Sequence, residues 1–257
     1  MAAVLAISNR KGGSGKTATA VNLAASLAAS GQRVLLIDLD TQGHCALGLG
    51  VACSRHTPSV HDLFASGACL ATALQPTAWP RLTLLPANPL FEHGSGSQQP
   101  DLLRQALQRE GLLDAFDVII IDTPPSLDTL LLNALHAAQW VLVPFVPHFL
   151  AGEGVRQLAR TLFRLASSGQ HPQLRLLGFL PVMCDARIGL HRRTLDQVGL
   201  QFGVLRVLSP VRNDIRLAES FAAGQPLSHF APRSRAAQDY AIAAAQVLAL
   251  ITTPPAS

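Results

Sequence analysis

The sequence predicts an α/β fold, a mostly parallel, doubly wound sheet with helices on both faces. Three observations predict it. Short apolar runs alternate along the chain with longer stretches that read as helices, the pattern of strands joined by crossover helices. A glycine-rich loop follows the first apolar run and opens directly into the first helical stretch. Two later apolar runs end in aspartate, which sets carboxylates at the carboxyl edge of a parallel sheet, where such folds bind ligands.

Taken in order, residues 3–8 contain Val4-Leu5-Ala6-Ile7, a run apolar enough for a buried parallel strand. Residues 16–30 are rich in alanine and leucine and end before Gly31, so they are expected to be helical. Arg33-Val-Leu-Leu-Ile-Asp38-Leu-Asp40 is expected to form a strand over 33–38, and a further strand over 82–86. Serine, glycine and glutamine at 94–99 mark an exposed loop. Further strands are expected at 117–122, 140–145, 176–181 and 204–208. The remaining helices are expected at 101–111, 127–137, 152–168, 189–201, 214–223 and 234–250. One glycine-rich loop and evenly spaced strands favour one domain over residues 1–257.

The chain has two lysines, Lys11 and Lys16, against 18 arginines, and both lysines lie in Lys11-Gly-Gly-Ser-Gly-Lys16-Thr17. Lysine is a compact point charge where arginine is a wide planar fork, and a cradle of backbone N–H groups admits the first. Gly15, Lys16 and Thr17 fill the last three places of the phosphate loop G-x-x-x-x-G-K-[ST], while Arg10 stands at its first glycine. Strand, loop and helix are the setting this motif needs, so the fold is expected to be a P-loop NTPase sheet. Gly12, Gly13, Ser14, Gly15, Lys16, Thr17 and Ala18 are the candidate phosphate-binding residues. Lys16 would reach the terminal phosphates, and the Thr17 hydroxyl would bind Mg²⁺.

Phe116-Asp-Val-Ile-Ile-Ile-Asp122-Thr-Pro-Pro is the second run that ends in an acid. Asp122 suits the metal side of the site, with Asp38 in support. Asp40 lies two residues beyond Asp38, so a continued strand would put both on one face. Asp40 would then orient an attacking water. Lys16 and Asp40 are thus candidate catalytic residues, with Lys11 marked beside them by the lysine usage alone, and Thr17, Asp38 and Asp122 are the candidate metal residues.

Composition sets bounds. Of 257 residues 49% are hydrophobic and 14% charged, enough for a substantial core, and the net charge is +4. Four cysteines (Cys45, Cys53, Cys69 and Cys184) show no metal-ligand spacing and suggest a reducing cytosol. No signal peptide or 18-residue apolar run is evident, so a soluble protein is expected. The phosphate loop begins almost at once, which leaves no room for a DNA-reading module before it. Trp79, Trp140 and Tyr240 are too scattered for a stacking platform and are expected to pack. The C-terminal helix is apolar without a basic face, which argues against a membrane anchor. From residue 170 onward nine arginines face five acids. Arg187, Arg192, Arg193, Arg212, Arg216, Arg233 and Arg235 are candidates for one face, and such clusters bind phosphate backbones without reading sequence. The alternative is a solvated surface of local ion pairs.

The chain resembles the ParA/MinD family of deviant phosphate-loop ATPases. The motifs that carry the resemblance are Lys11-Gly-Gly-Ser-Gly-Lys16-Thr17, Leu36-Ile-Asp38-Leu-Asp40-Thr-Gln-Gly43 and Ile121-Asp122-Thr-Pro-Pro125. Leu85-Pro-Ala-Asn88, Leu132-Asn-Ala-Leu135, Glu153-Gly154, Pro181-Val-Met-Cys-Asp185-Ala-Arg187 and Arg212-Asn-Asp-Ile-Arg216-Leu-Ala-Glu219 extend it along the chain. It is closest to ParA-type positioning and partition proteins. The resemblance implies an ATPase with ATP and Mg²⁺, slow alone and stimulated by a partner. It implies an ATP-dependent homodimer in which Lys11 reaches the partner's nucleotide. It further implies binding of non-specific double-stranded DNA through Arg187 and Arg216, with Arg192 and Arg193 added by proximity, and a ParB-like or other cargo adaptor. The expected location is the cytoplasm, on the nucleoid. Met183 and Pro210 are candidates for the adenine. Ala18, Thr41 and His44-Cys45 depart from the family pattern. A membrane-cycling, MinD-like spatial regulator and a metabolic enzyme on the same scaffold are the alternatives.

Overall fold

The structure is a computed structural model and describes residues 1–92, 94–148 and 174–252. Its strands are β1 (Ala3–Ile7), β2 (Val34–Asp38), β3 (Gln75–Pro76), β4 (Leu82–Leu85), β5 (Val118–Asp122), β6 (Trp140–Phe145) and β7 (Arg175–Pro181). They form one sheet in the order β3-β4-β2-β5-β1-β6-β7. Every neighbouring pair is parallel except β3 with β4, a two-residue antiparallel edge.

The described helices are α1 (Lys16–Ala29), α2 (His44–Leu49), α3 (His61–Ser66), α4 (Leu102–Arg109), α5 (Leu112–Ala115), α6 (Thr129–Ala137), α7 (Gly189–Phe202), α8 (Arg216–Ala222), α9 (Leu227–Phe230) and α10 (Arg235–Thr252). The central strands are buried on both sides, and alternation sorts their side chains into two cores. Leu5, Ile7, Val34, Leu36, Val118 and Ile120 join the core beneath α1, α2 and α10. Val4, Ala6, Leu35, Ile37, Ile119 and Ile121 join the core beneath α3, α4 and α6. Asp38 and Asp122 continue the first set, so both carboxylates leave the sheet on the side of α1.

Polar side chains fix the helices in place. Asn22 on α1 accepts the Leu227 N–H at 2.8 Å and so ties α9 to the first helix. Asn133 on α6 accepts the Leu103 N–H at 2.9 Å, which meets an otherwise unpaired donor at the start of α4. Asp128 caps α6 by accepting from Leu130 and Leu131. Tyr240 is buried on α10, and Trp79 stacks on His229 with ring centroids 4.2 Å apart, as expected of packing residues.

Several elements differ from the sequence expectation. Residues 204–208 are not a strand: Val204–Arg206 is a 3-10 turn, and only Val207 bridges to Phe179. Gly203 turns the chain at φ 101°, and Val204 and Leu205 are 73% and 96% exposed, so the first half of this run stays outside the core, while Val207 packs against one core and Leu208 is buried in the other. The helix expected at 101–111 breaks at Gly111, φ 68°, into α4 and α5. Helices α2, α3 and α9 were not foreseen. The helix expected at 152–168 lies outside the described residues, as does Glu153-Gly154.

Candidate functional site

The phosphate loop bends through two left-handed glycines, Gly13 at φ 71° and Gly15 at φ 84°, which residues with a Cβ adopt only under strain. A Cβ on Gly15 would stand 2.9 Å from Val182 Cγ2, so glycine is also required by the close approach of the 182 segment. Gly12 and Gly13 face open space. Helix α1 begins with neither a side-chain cap nor an acid in its first turn. Its first N–H groups and the positive end of its dipole are left for an anion.

Lys16 is the first residue of α1 and only 7% exposed. Burial lowers the pKa of its ammonium, and Asp122 and then Asp40 counter the effect. Asp122 and Asp38 are fully buried and stand opposite each other in register at the ends of β5 and β2. Burial raises the pKa of both carboxyl groups. For Asp122 the Thr17 hydroxyl and Lys16 work against that shift; for Asp38 the Asp122 charge adds to it. The Asp38 carboxylate accepts the Asp40 N–H at 3.1 Å and the Cys45 N–H at 3.0 Å. Asp122 Oδ1 has no hydrogen-bond partner, and neither has Ser14 Oγ. A buried carboxylate oxygen left this way beside a loop of free N–H groups fits a metal–phosphate ligand.

Asp40 reaches the site by another route than the strand alternation expected. Strand β2 ends at Asp38, and Asp40 lies in the turn that follows, where its Oδ1 accepts the Gln42 N–H at 3.1 Å. It is still near enough to act on Lys16.

Lys11 is exposed, and its Nζ lies 2.5 Å from His148 Nε2. Its N–H donates to Asn9 Oδ1 at 3.0 Å, and Asn9 Nδ2 donates to the Pro144 carbonyl at 2.9 Å. A cavity of about 20 Å³ lies between these groups, room for a single water-sized guest. Asn9 and His148 escaped the sequence reading, since nothing in their spacing marks them.

Met183 lies next to Val182, which touches the loop, and holds a left-handed backbone at φ 53°. Pro210 instead lines a groove of about 560 Å³ with Leu195, Val207 and Gln246, in which no loop residue takes part. Ala18 is in the first turn of α1, behind the loop.

Arg187, Arg192, Arg193, Arg212, Arg216, Arg233 and Arg235 are all exposed. Arg187 pairs with Asp185 at 2.7 Å, and Arg216 pairs with Glu219 at 3.1 Å. Arg212 makes a two-pronged pair with the buried Asp239, so its role is structural. A backbone bridge between Cys184 and Arg212, with that ion pair, gathers the segments that carry Arg187, Arg216 and Arg235. Arg192 and Arg193 lie on the first turns of α7. His191 accepts the Asp185 N–H at 3.1 Å, which fixes the turn before α7.

Cys45 was missed as a site residue because the sequence search looked for spacing between cysteines. Its thiol lies between the two buried carboxylates, 3.6 Å from Asp122 Oδ2. Among the described residues, no helix is long and apolar enough to cross a membrane.

A family model described as an AAA domain matches residues 2–176. The chain is 40% identical over 249 residues to the chromosome-partitioning ATPase Soj of Thermus thermophilus, with 96% of each chain covered. It is 35% identical to the chromosome partitioning protein ParA of Caulobacter vibrioides, with 95% of this chain and 93% of that one covered. Among solved structures, cobyrinic acid a,c-diamide synthase from Mycobacterium smegmatis with bound ADP and magnesium is 34% identical, with a TM-score of 0.78 over 95% of this chain and 93% of that chain.

Proposed function

The chain belongs to the ParA/MinD family of phosphate-loop ATPases, and on that premise we propose that it is an ATP-driven switch that partitions or positions a large cargo on DNA. One observation carries the reading: α2 joins the acids at the end of β2 to the helix that carries Arg216. Helix α2 begins where Cys45 holds Asp38, and its far end packs on α8, which carries Arg216.

ATP and Mg²⁺ are the ligands that this site fits. The N–H groups of Gly12 to Thr17 and the start of α1 would cradle the phosphates, and Lys16 would neutralise their terminal charge. Thr17, Asp122 and, behind them, Asp38 would hold Mg²⁺, which supplies charge neutralisation to the phosphates. Asp40 would orient the attacking water and hold its proton. Met183 is the better placed of the two adenine candidates.

Lys11 would leave His148 and cross to the nucleotide of a second copy, so that ATP closes a homodimer. The terminal phosphate would order the turns after Asp40 and Asp122, an order–disorder switch read out by α2 and α8. The dimer would then bind non-specific double-stranded DNA through Arg187 and Arg216, with Arg192 and Arg193 at the margin, and sit on the nucleoid. A cargo-bound adaptor of the ParB kind would stimulate hydrolysis and release it. Soj and ParA carry partitioning in their names, and 33–40% identity over nearly the whole chain supports the same use here. One domain over residues 1–257 is part of the proposal.

The experiment is DNA binding with ATP at rising salt. Phosphate contacts release counterions, so affinity should fall linearly and steeply on logarithmic axes. A flat response, or binding indifferent to nucleotide, would remove the DNA switch and favour a metabolic role such as that named for the Mycobacterium smegmatis protein.

A further inference from the structure

Asp38, Cys45 and Asp122 are fully buried, and one ligand atom from each lies within 4.8 Å of the others. Each residue comes from a different element. Register sets the two carboxylates side by side at the ends of β2 and β5, and the first turn of α2 lays the thiol against them. The thiol and the Asp122 carboxylate are already 3.6 Å apart. Tetrahedral zinc, with bonds of about 2.3 Å to sulfur and 2.0 Å to oxygen, sets a sulfur–oxygen edge of about 3.5 Å. The second oxygen of Asp122 has no hydrogen-bond partner in this sealed place. Closing the widest pair, at most 4.8 Å apart, to ligand spacing needs a movement of up to about 1.5 Å, and α2, which carries Cys45 between Gly43 and Gly50, is six residues long.

We propose that Asp38, Cys45 and Asp122 form a binding site for a thiophilic divalent cation of the zinc class, which forms without nucleotide and excludes the magnesium bound with ATP. Magnesium takes oxygen ligands, and a sulfur in the set selects the softer ion. Binding displaces the proton of the Cys45 thiol to solvent, because the thiolate is the ligand, and water completes the tetrahedron. Lys16 faces Asp122 and opposes a second cation, so the ion should be removable by a chelator. Exclusion of magnesium rests on the nucleotide reading above, since Asp122 serves both sets; binding of the soft cation does not. The bound ion would pin α2 to the sheet and hold the ATPase off.

The test uses the full chain without nucleotide, with the exposed thiols removed as Cys53→Ser and Cys69→Ser. Titration with Co²⁺ should give a sulfur-to-cobalt charge-transfer band in the near ultraviolet that saturates at one equivalent. Cys45→Ser should abolish it, and Cys184→Ser should leave it. No band, or a band that survives Cys45→Ser, overturns the site. X-ray absorption of the zinc-loaded, unsubstituted chain gives a second reading free of any folding defect. One sulfur with oxygen neighbours is expected, and a shell without sulfur overturns the site. Magnesium and ATP should then bleach the cobalt band. A band that persists while ATP is measurably bound overturns the exclusion, whereas ATP that fails to bind without any cobalt present counts against the nucleotide reading alone.

Discussion

Gly50 and Gly224 meet backbone to backbone: a Cβ added to Gly50 would stand 2.5 Å from the Gly224 carbonyl oxygen. Two residues earlier, a Cβ on Gly48 would stand 2.7 Å from Phe221. The end of α2 therefore rests directly on the end of α8, backbone on backbone at Gly50 and with the Phe221 ring against Gly48. The helix that follows the Asp40 turn is seated on the helix that carries Arg216.

Gly50→Ala should break that seat. Gly50 is left-handed at φ 67°, so alanine also incurs backbone strain of roughly 1–2 kcal/mol. Stability to thermal unfolding should fall by at least that amount, since the clash with Gly224 adds to it, while ATP binding measured by calorimetry should be retained. DNA binding should lose its dependence on ATP. Wild-type DNA binding in the variant would show that the contact is packing alone.

Lys16→Ala and Asp40→Ala should separate binding from hydrolysis. Saturating ATP at about a thousandfold above its Kd should stabilise the wild type by about 4 kcal/mol, and this shift should vanish in Lys16→Ala. Asp40→Ala should keep the shift and lose about 10²–10⁴-fold in phosphate release. Normal phosphate release from Asp40→Ala would remove the role given to that residue.

Much of this site was legible before any coordinates. Continuous apolar runs ending in Asp38 and Asp122 say both where the strands lie and which edge binds ligand, because burial and strand direction set both. Lysine usage marks the loop for a chemical reason. Helix α2 was not legible: six residues between two glycines show no periodicity. With it went Cys45, whose closeness to Asp122 is a tertiary fact across 77 positions. Residues 204–208 failed for the opposite reason: Val204 and Leu205 are left exposed, and an apolar residue supports a strand only if something covers it.

Lys11 now rests on His148 of its own chain, and that contact competes with any reach to a second copy. Lys11→Ala should bind ATP as a monomer in analytical ultracentrifugation. His148→Ala should strengthen ATP-dependent dimerisation about fivefold per site, the equivalent of one net hydrogen bond of about 1 kcal/mol. Full dimerisation of Lys11→Ala would exclude its action across the interface.

Thiol reactivity should divide the four cysteines. Burial pushes Cys184 up to about 12 and Cys45 well above the usual thiol range. The thiolate is the reactive form, so a raised pKa means less of it at neutral pH. A thiol-disulfide reagent should modify the exposed Cys53 and Cys69 quickly, and Cys45 and Cys184 only on unfolding. Four fast thiols in the native chain would contradict the burial of the site.

The decisive measurement is binding to non-specific double-stranded DNA with ATP, with ADP and with no nucleotide, for the wild type beside Arg216→Ala. An ATP-operated DNA switch requires tight binding with ATP alone, weakened at least tenfold in Arg216→Ala while ATP binding is unchanged. Binding absent in every state, or equal in all three, would contradict it and leave Arg216 as a surface residue paired with Glu219.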